Sequence, residues 1–232
     1  MLKKALVMMC GMMVAAGLAT TTMADEHEGV ASAGLDVVSA YVFRGATVND
    51  EVNVQPALNA DFGALDLGVW ANFNTDSSNV DEIDLTASYD LPLSADLPVS
   101  ASVGYTEYTY PTASAEADRE VSLTLSPVDC PLDSSILVAV GFEGALDEGI
   151  YVEANCAHDL VLSEGLTINA TATVAAQLGD NTPDTGLAFV ALGAGTTVGP
   201  IDIGVTYYLE TDEDVQLVDE DVVGTASIGI PL

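Results

Sequence analysis

Residues 65–74 read Leu65-Asp66-Leu67-Gly68-Val69-Trp70-Ala71-Asn72-Phe73-Asn74, and this stretch decides the fold class. Apolar side chains occupy every second position, and polar or small side chains occupy most of the positions between them. A period of two residues is typical of a β-strand with one apolar face and one polar face. Residues 83–91 and 166–177 repeat the pattern. The chain is therefore predicted to be all-β.

The predicted strands are numerous and long. They span residues 31–43, 53–62, 65–73, 83–91, 98–109, 120–126, 134–142, 150–157, 166–177, 187–194, 201–209 and 222–232. A tilted strand that crosses a bilayer needs about 9–11 residues, whereas strands in soluble sheets average about 5–6. An even number near twelve also suits a closed antiparallel barrel. We therefore expect an up-and-down transmembrane β-barrel of about twelve strands, although a soluble two-sheet sandwich would show the same alternation.

The connections between these strands fall into two sets. The odd-numbered set is longer and more acidic, and comprises 44–52, 74–82, 110–119, 143–149, 178–186 and 210–221. The even-numbered set comprises 63–64, 92–97, 127–133, 158–165 and 195–200. Aromatic residues near the strand ends predict interfacial girdles: Tyr41, Phe43, Phe73, Tyr105, Phe142, Phe189 and Tyr207 on the odd-loop side, and Phe62 and Tyr89 on the other. This polarity places the odd loops outside the cell and the even turns in the periplasm.

The N-terminus resembles a secretory signal rather than a part of the barrel. Lys3 and Lys4 precede an apolar run over residues 5–19, and small residues stand before Asp25. The apolar run is too short for a membrane-spanning helix. We therefore expect a signal peptide over residues 1–24, which is cleaved, and one barrel domain over residues 25–232. The predicted location is the bacterial outer membrane.

The charge of the chain is extreme. Its 232 residues include 36 acidic and 4 basic side chains, for a formal net charge of −32, yet 49% of the residues are hydrophobic. That hydrophobic share argues against disorder, and the negative charge excludes binding to nucleic acid through its phosphates. Beyond residue 24, the basic side chains are Arg44 and Arg119. Acidic pore mouths would concentrate cations and repel anions.

The candidate site residues are charged groups that a barrel would direct into its lumen. Arg44 is predicted at the outer end of the first strand, where it could meet Glu82 and Asp84 at the start of the fourth. That network would either shape the pore or serve a structural role by holding strands of the barrel together. The acidic residues on the polar phases of their strands are Asp36, Asp61, Asp66, Asp84, Glu120, Glu153 and Asp202.

Residues for other chemistry are scarce. The histidines are His27 and His158, and neither has a catalytic or metal-binding motif around it. We therefore predict no enzyme activity, no metal and no cofactor, and we interpret the acidic run in 210–221 as a solvated loop. Cys130 and Cys156 form an even pair in an oxidising compartment. A disulfide between them at the periplasmic rim is predicted, with two free thiols as the alternative.

Several segments resemble a known family. They are Tyr41-Val42-Phe43-Arg44-Gly45, Gln55-Pro56, Gly68-Val69-Trp70-Ala71-Asn72, Glu82-Ile83-Asp84-Leu85 and Ala87-Ser88-Tyr89. In this order and spacing they resemble the opening of the TorF-like porin family, over roughly residues 32–110. The resemblance implies an outer-membrane barrel of the porin type.

The predicted function is therefore passive diffusion of small solutes, with cations favoured. The predicted partners are outer-membrane lipid and small solutes or cations. Two alternatives remain open at this stage. One is a filled barrel that does not conduct and serves a structural or adhesive role, and the other is a secreted, soluble acidic β-sandwich.

Overall fold

The protein is a closed antiparallel β-barrel in a computed structural model that describes residues 30–179, 186–210 and 222–232. Its strands are β1 (Val30–Val38), β2 (Tyr41–Phe43), β3 (Ala46–Asn49), β4 (Asn53–Asp61), β5 (Leu65–Asn74), β6 (Asn79–Asp90), β7 (Val99–Thr109), β8 (Asp118–Pro127), β9 (Asp133–Glu143), β10 (Gly149–Ser163), β11 (Leu166–Gly179), β12 (Gly186–Val198), β13 (Ile201–Glu210) and β14 (Val222–Pro231). Strands β1 and β4 to β14 form the wall, which closes because β1 pairs with both β4 and β14. The predicted barrel of about twelve strands is confirmed.

Three predicted features lie wholly or largely outside the described residues. They are the signal peptide 1–24 and most of the loops 178–186 and 210–221. Within the described ranges, no helix is long and apolar enough to cross a membrane. The helical structure described is a single 3₁₀ turn at Gly144–Leu146, between β9 and β10.

The polarity of the barrel is inverted relative to that of a soluble protein. On β5, Leu65, Leu67 and Val69 are exposed, whereas Asn72 is fully buried. The exposed apolar set continues around the wall and includes Leu58, Leu85, Val103, Leu123, Ile136, Val140, Val174, Leu192, Ile203 and Val205. An apolar exterior around a polar interior is the arrangement of a transmembrane barrel. The soluble β-sandwich alternative is therefore wrong, and the predicted assignment of the two faces is confirmed.

The first predicted strand, 31–43, is wrong at its end. Strand β1 ends at Val38, where the backbone N–H of Ser39 donates to the Gly224 carbonyl at 2.9 Å and the Ser39 hydroxyl accepts from the Gly224 N–H at 2.9 Å. These bonds hold the chain to β14 as it leaves the wall. Residues 39–52 then turn inward as the β2–β3 pair, here called the lumen hairpin. The first part of the predicted outer loop 44–52 is thus internal, whereas Val48, Asp50, Glu51 and Val52 are exposed, as expected for a loop.

The tip of the lumen hairpin is a two-residue turn. Phe43 pairs with Ala46, and the residues between them, Arg44 and Gly45, have φ values of 51° and 83°. Positive φ at both central residues is the geometry of a type I′ turn, which matches the twist of a hairpin. A Cβ atom at Gly45 would lie 2.6 Å from Cδ1 of Phe189. Glycine is therefore required there by both the backbone and the packing.

The hydrophobic core lies inside the barrel, around the lumen hairpin. It consists of Val38, Ala40, Leu137, Ala139, Tyr151, Ala175, Ala188, Phe189, Ala191, Tyr208 and Val223, with Val42 of the hairpin packed against it. Alanine at several wall positions leaves room for the hairpin side chains. Toward the short turns, the inward-facing Asn59 and Asp61 are exposed, so the interior is open at that end.

Three aromatic residues predicted for the interfacial girdle lie elsewhere. Tyr41 and Phe189 are buried inside the barrel, and the ring of Phe43 packs edge-on against Tyr108 with the centroids 5.5 Å apart. Phe62, Tyr89, Phe142 and Tyr207 are exposed, as a girdle requires.

The predicted disulfide is also wrong, because Cys130 and Cys156 are both free thiols. Strand β10 does not end near Cys156 but continues to Ser163, so most of the predicted turn 158–165 is strand. Cys156 alternates with the inward-facing Glu153 and Asn155 and therefore points outward from the wall. An outward-facing strand residue is poorly placed to reach Cys130 in the turn after β8.

The inverted polarity predicts opposite responses to one added charge on neighbouring residues of β8. Leu123→Arg places a cation on the apolar face near the middle of the strand, and should lower the free energy of unfolding by about 2–4 kcal/mol. Thr124→Arg, on the inward face, should cost much less. Urea titration of both variants in phospholipid vesicles measures the difference. Equal costs would contradict the assigned faces.

Candidate functional site

An ion pair fixes the lumen hairpin to the wall. Nη2 of Arg44 donates to Oε1 and Oε2 of Glu120 at 2.8 and 2.7 Å, and the two side chains are only 9% and 6% exposed. The guanidinium carbon also lies 4.1 Å from the ring centroid of Tyr151 and 5.0 Å from that of Phe43. Charge-assisted hydrogen bonds and ring contacts of this kind are strong where water is excluded. Because Glu120 is on β8, the hairpin tip is tied to the far side of the barrel from β1.

The expected pairing of Arg44 with Glu82 and Asp84 is therefore wrong. It assumes that Arg44 sits on the wall, whereas Arg44 lies at the tip of a hairpin that crosses the lumen. Glu82 instead accepts a hydrogen bond from the Tyr41 hydroxyl at 2.8 Å. Asp84 is 2% exposed, and its Oδ1 has no hydrogen-bond partner.

Two tyrosines that the sequence analysis missed complete the site. The Tyr108 hydroxyl donates to Oε1 of Glu120 at 2.9 Å, and the Tyr151 hydroxyl donates to Oε2 of Glu153 at 2.6 Å. Both lie on the inward phase of their strands, and that phase is the signal that could have found them. A phenol stabilises a carboxylate without adding positive charge, so the site remains acidic.

A second segment narrows the lumen from the side of the long loops. Asp118, predicted in a loop, begins β8 and accepts from the Tyr110 hydroxyl at 2.5 Å and from the backbone N–H groups of Ala145 and Leu146. This holds the turn at Gly144–Leu146 over the wall. Burial and the Asp118 carboxylate raise the pKa of Tyr110, which therefore remains a donor at neutral pH.

Amide side chains cover the wall near β4 and β5. Nε2 of Gln55 donates to Oδ1 of Asn72 at 3.0 Å, and Nδ2 of Asn72 donates to Asn53 at 3.0 Å and to Asp81 at 2.7 Å. Asn53 and Asn72 are fully buried. This network fixes the polar surface against which the base of the hairpin lies.

The remaining predicted lumen residues occupy two levels. Asp36 is 1% exposed and lies opposite Ser227, which in turn lies opposite Asp202. Asp61 and Asp66 lie opposite each other beside the turn between β4 and β5, at the open end of the barrel. The structure thus brings Glu120 into contact with Arg44 and places Glu153 near it through Tyr151, whereas Asp36, Asp61, Asp66 and Asp202 lie elsewhere.

The buried interior is rich in acidic side chains. Its buried carboxylates are Asp36, Glu82, Asp84, Asp118, Glu120 and Glu153. In the described part of the chain, Arg44 is the basic residue that pairs with this set. Arg119 instead pairs with Glu107 at 2.8 Å and with Glu143, at the long-loop end of the outer surface. His158 is exposed on the outward phase of β10, away from these acids.

The described residues offer no metal centre, since no group of three or more His, Cys, Asp or Glu side chains among them is placed to hold a metal ion. A small cleft beside Arg44 is lined by Glu120, Ala139, Gly141, Leu146, Tyr151 and Gln177. The cleft is lined by apolar, polar and charged side chains, and these do not form an arrangement of nucleophile, base and orienting group.

A family model described as "Bacterial protein of unknown function (Gcw_chp)" matches residues 24–227. The chain belongs to the Gcw_chp family. No curated protein matches the sequence of this Gcw_chp member.

Two solved structures with a similar fold are described as porins. One is described as "KdgM porin in complex with disordered oligogalacturonate", with a TM-score of 0.55, 7% identity, and coverage of 88% of this chain and 98% of that one. Another is the NanC porin, with a TM-score of 0.51, 12% identity, and coverage of 86% and 97%. At these identities the likeness shows the fold alone. This Gcw_chp chain is thus a porin-like barrel.

Removal of the Arg44 charge should destabilise the barrel. Arg44→Met keeps much of the side-chain volume but leaves Glu120 buried without its cation, which should cost about 3–5 kcal/mol of unfolding free energy. The double variant Arg44→Met/Glu120→Gln should recover part of that loss. Urea titration of the folded barrel measures both.

Arg119→Met is the matched control, because that arginine is more exposed and its ion pairs lie on the outer surface. Its effect should be much smaller. Equal losses from the two single variants would remove the special role of Arg44.

Proposed function

We propose that the protein is an outer-membrane porin that allows passive diffusion of small solutes and favours cations. The observation that carries the proposal is a closed barrel with an apolar exterior and an acidic interior. Its exterior suits lipid, and its interior suits charged or hydrated solutes. The resemblance to the TorF-like porins supports the same role, and we propose residues 1–24 as the signal peptide for export.

The proposed mechanism is electrostatic and has no chemical step. Asp61 and Asp66 at the open end would raise the local concentration of cations and lower that of anions. Deeper in, a solute meets the lumen hairpin, whose tip is held by Arg44 and Glu120. The hairpin reduces the cross-section, so we expect low conductance and exclusion of large solutes.

The acidity also bears on the class of solute. Oligogalacturonate, which the KdgM structure contains, carries repeated carboxylates. In this chain the buried carboxylates outnumber the arginine that pairs with them, so an anionic oligomer would be repelled. We therefore propose small cations and neutral solutes rather than polyanions. We propose no catalytic role, because the described residues place His158 on the outer face and supply no activated nucleophile.

A second candidate is a barrel that does not conduct and acts as a structural or adhesive protein. The observation that favours it is the packing around the lumen hairpin, where Phe189 is 0% and Tyr208 is 2% exposed. Their rings lie 5.8 Å apart inside the barrel. If this packing is permanent, the lumen hairpin and these rings block the lumen in the half of the barrel nearer the long loops.

Conductance in planar bilayers separates the two candidates. Under a salt gradient, the reversal potential should lie on the cation side, and the preference should weaken as salt rises, because charges are screened beyond about 10 Å at 0.1 M. The double variant Asp61→Asn/Asp66→Asn should weaken the cation preference at low salt. Asp76→Asn, in an exposed loop, should leave the preference unchanged.

Arg44→Met should raise the conductance by loosening the hairpin. A reversal potential on the anion side would contradict the proposed cation preference. Absence of conductance in both the wild type and Arg44→Met would favour the permanently filled barrel.

A further inference from the structure

Most of the buried side-chain polar atoms that lack a hydrogen bond lie at one place in the barrel wall. Among the described residues, the buried side-chain atoms without a hydrogen bond are Oδ1 and Oδ2 of Asp36, Oδ1 of Asp84, Oγ of Ser126 and Oγ of Ser227. Three of these five belong to Asp36 and Ser227, which are each 1% exposed. Apart from the Ser227 hydroxyl that faces it, no protein donor serves either oxygen of this buried carboxyl group, and burial of such a group is costly without a ligand.

The strand register brings these atoms together. Asp36 on β1 lies directly opposite Ser227 on β14 and directly opposite Gln55 on β4. Side chains in such cross-strand positions have their Cβ atoms about 4.5–5.5 Å apart. Nε2 of Gln55 is engaged with Asn72, which leaves the side-chain oxygen of Gln55 as its other polar atom. The three positions thus supply a carboxylate, a hydroxyl and an amide oxygen.

The basic side chains in the described ranges do not neutralise this carboxylate. Arg44 is paired with Glu120, and Arg119 is paired with Glu107 and Glu143 on the outer surface. Asp202 lies opposite Ser227, about 10 Å from β1 across two strand spacings. Because its side chain is acidic, it cannot neutralise Asp36. A cation from solution would supply the missing positive charge.

We propose that Asp36, Ser227 and Gln55 bind a small monovalent cation, with Na⁺ as the representative ion. The donors are all oxygen atoms, which select a hard cation. A single carboxylate balances a single positive charge, whereas divalent sites are usually built with more carboxylates, and none of the described residues forms such a group. The bound ion would neutralise the base of the lumen hairpin, beside the point where β1 leaves the wall at Val38.

This site goes beyond the proposed function, because a bound ion would stabilise the barrel whether or not the barrel conducts. Its test therefore needs no measurement of current. The full-length barrel is unfolded thermally in detergent micelles while NaCl is replaced by choline chloride at constant ionic strength. Choline is too large for the site, and equal ionic strength keeps general screening the same.

The wild type should melt at a higher temperature in Na⁺ than in choline, with a shift that grows with Na⁺ concentration as expected for binding to the folded state. Asp36→Asn should lose the Na⁺-dependent shift, and Ser227→Ala should reduce it. In choline, Asp36→Asn should melt above the wild type, because an amide removes the uncompensated charge. Asp76→Asn, in an exposed loop, is the matched control and should retain the full shift.

Three results would overturn the proposal. They are a wild type with no difference between Na⁺ and choline, an Asp36→Asn variant that keeps the difference, and stabilisation by Ca²⁺ at much lower concentrations than by Na⁺. The last would show a divalent site instead. A cation-selective current together with any of these results would leave the proposed function standing while removing the site.

Discussion

The buried ion pair between Arg44 and Glu120 holds the lumen hairpin across the barrel, and the interior depends on that position. A wall of twelve strands encloses more space than its own inward side chains fill, especially where those side chains are alanine. The hairpin fills the space in the half nearer the long loops. Its turn, with Gly45 against Phe189, allows the tip to fit without a steric conflict. The other half stays open, with Asp61 and Asp66 beside the short turns.

The interior also shows how a barrel can hold many carboxylates with little positive charge. Glu82, Glu120 and Glu153 each accept a hydrogen bond from a tyrosine hydroxyl, and Asp118 accepts from backbone N–H groups. These neutral donors offset part of the cost of burial without cancelling the negative charge. Asp36 departs from this pattern, since it faces only the Ser227 hydroxyl and accepts no hydrogen bond from a tyrosine or a backbone N–H. Acidic side chains that are stabilised by neutral donors rather than paired with cations are the basis of the proposed cation preference.

The sequence predicted the wall better than the contents of the barrel. Alternation identified the strands and their two faces, because the membrane requires an apolar outer face over the full length of each strand. It failed over residues 37–43, where Val37, Val38, Ala40 and Val42 are apolar on both phases. Such a run fits the end of a wall strand as well as a hairpin packed on all sides. The partner of Arg44 could not be predicted, because Glu120 is brought to it by the closure of the barrel.

The dependence on tertiary structure also explains why the disulfide prediction was wrong and why the tyrosines of the site were missed. Cys156 is followed by the polar residues His158 and Asp159, which imitate a turn, yet pairing with β11 continues the strand. Tyr108 and Tyr151 stood on polar phases, but aromatic residues near strand ends are also typical of interfacial girdles. The distinction between a girdle and a core depends on whether something occupies the lumen, and that is a tertiary property.

The position of the lumen hairpin can be measured directly through the single tryptophan of the chain, Trp70. Trp70 faces the interior, and its ring centroid lies 5.5 Å from that of Tyr41 on the hairpin. Acrylamide, a neutral quencher, should quench Trp70 weakly in the wild type and strongly in a variant in which residues 40–51 are replaced by a short glycine-rich turn. Equal quenching in the two folded barrels would contradict a hairpin that fills the lumen.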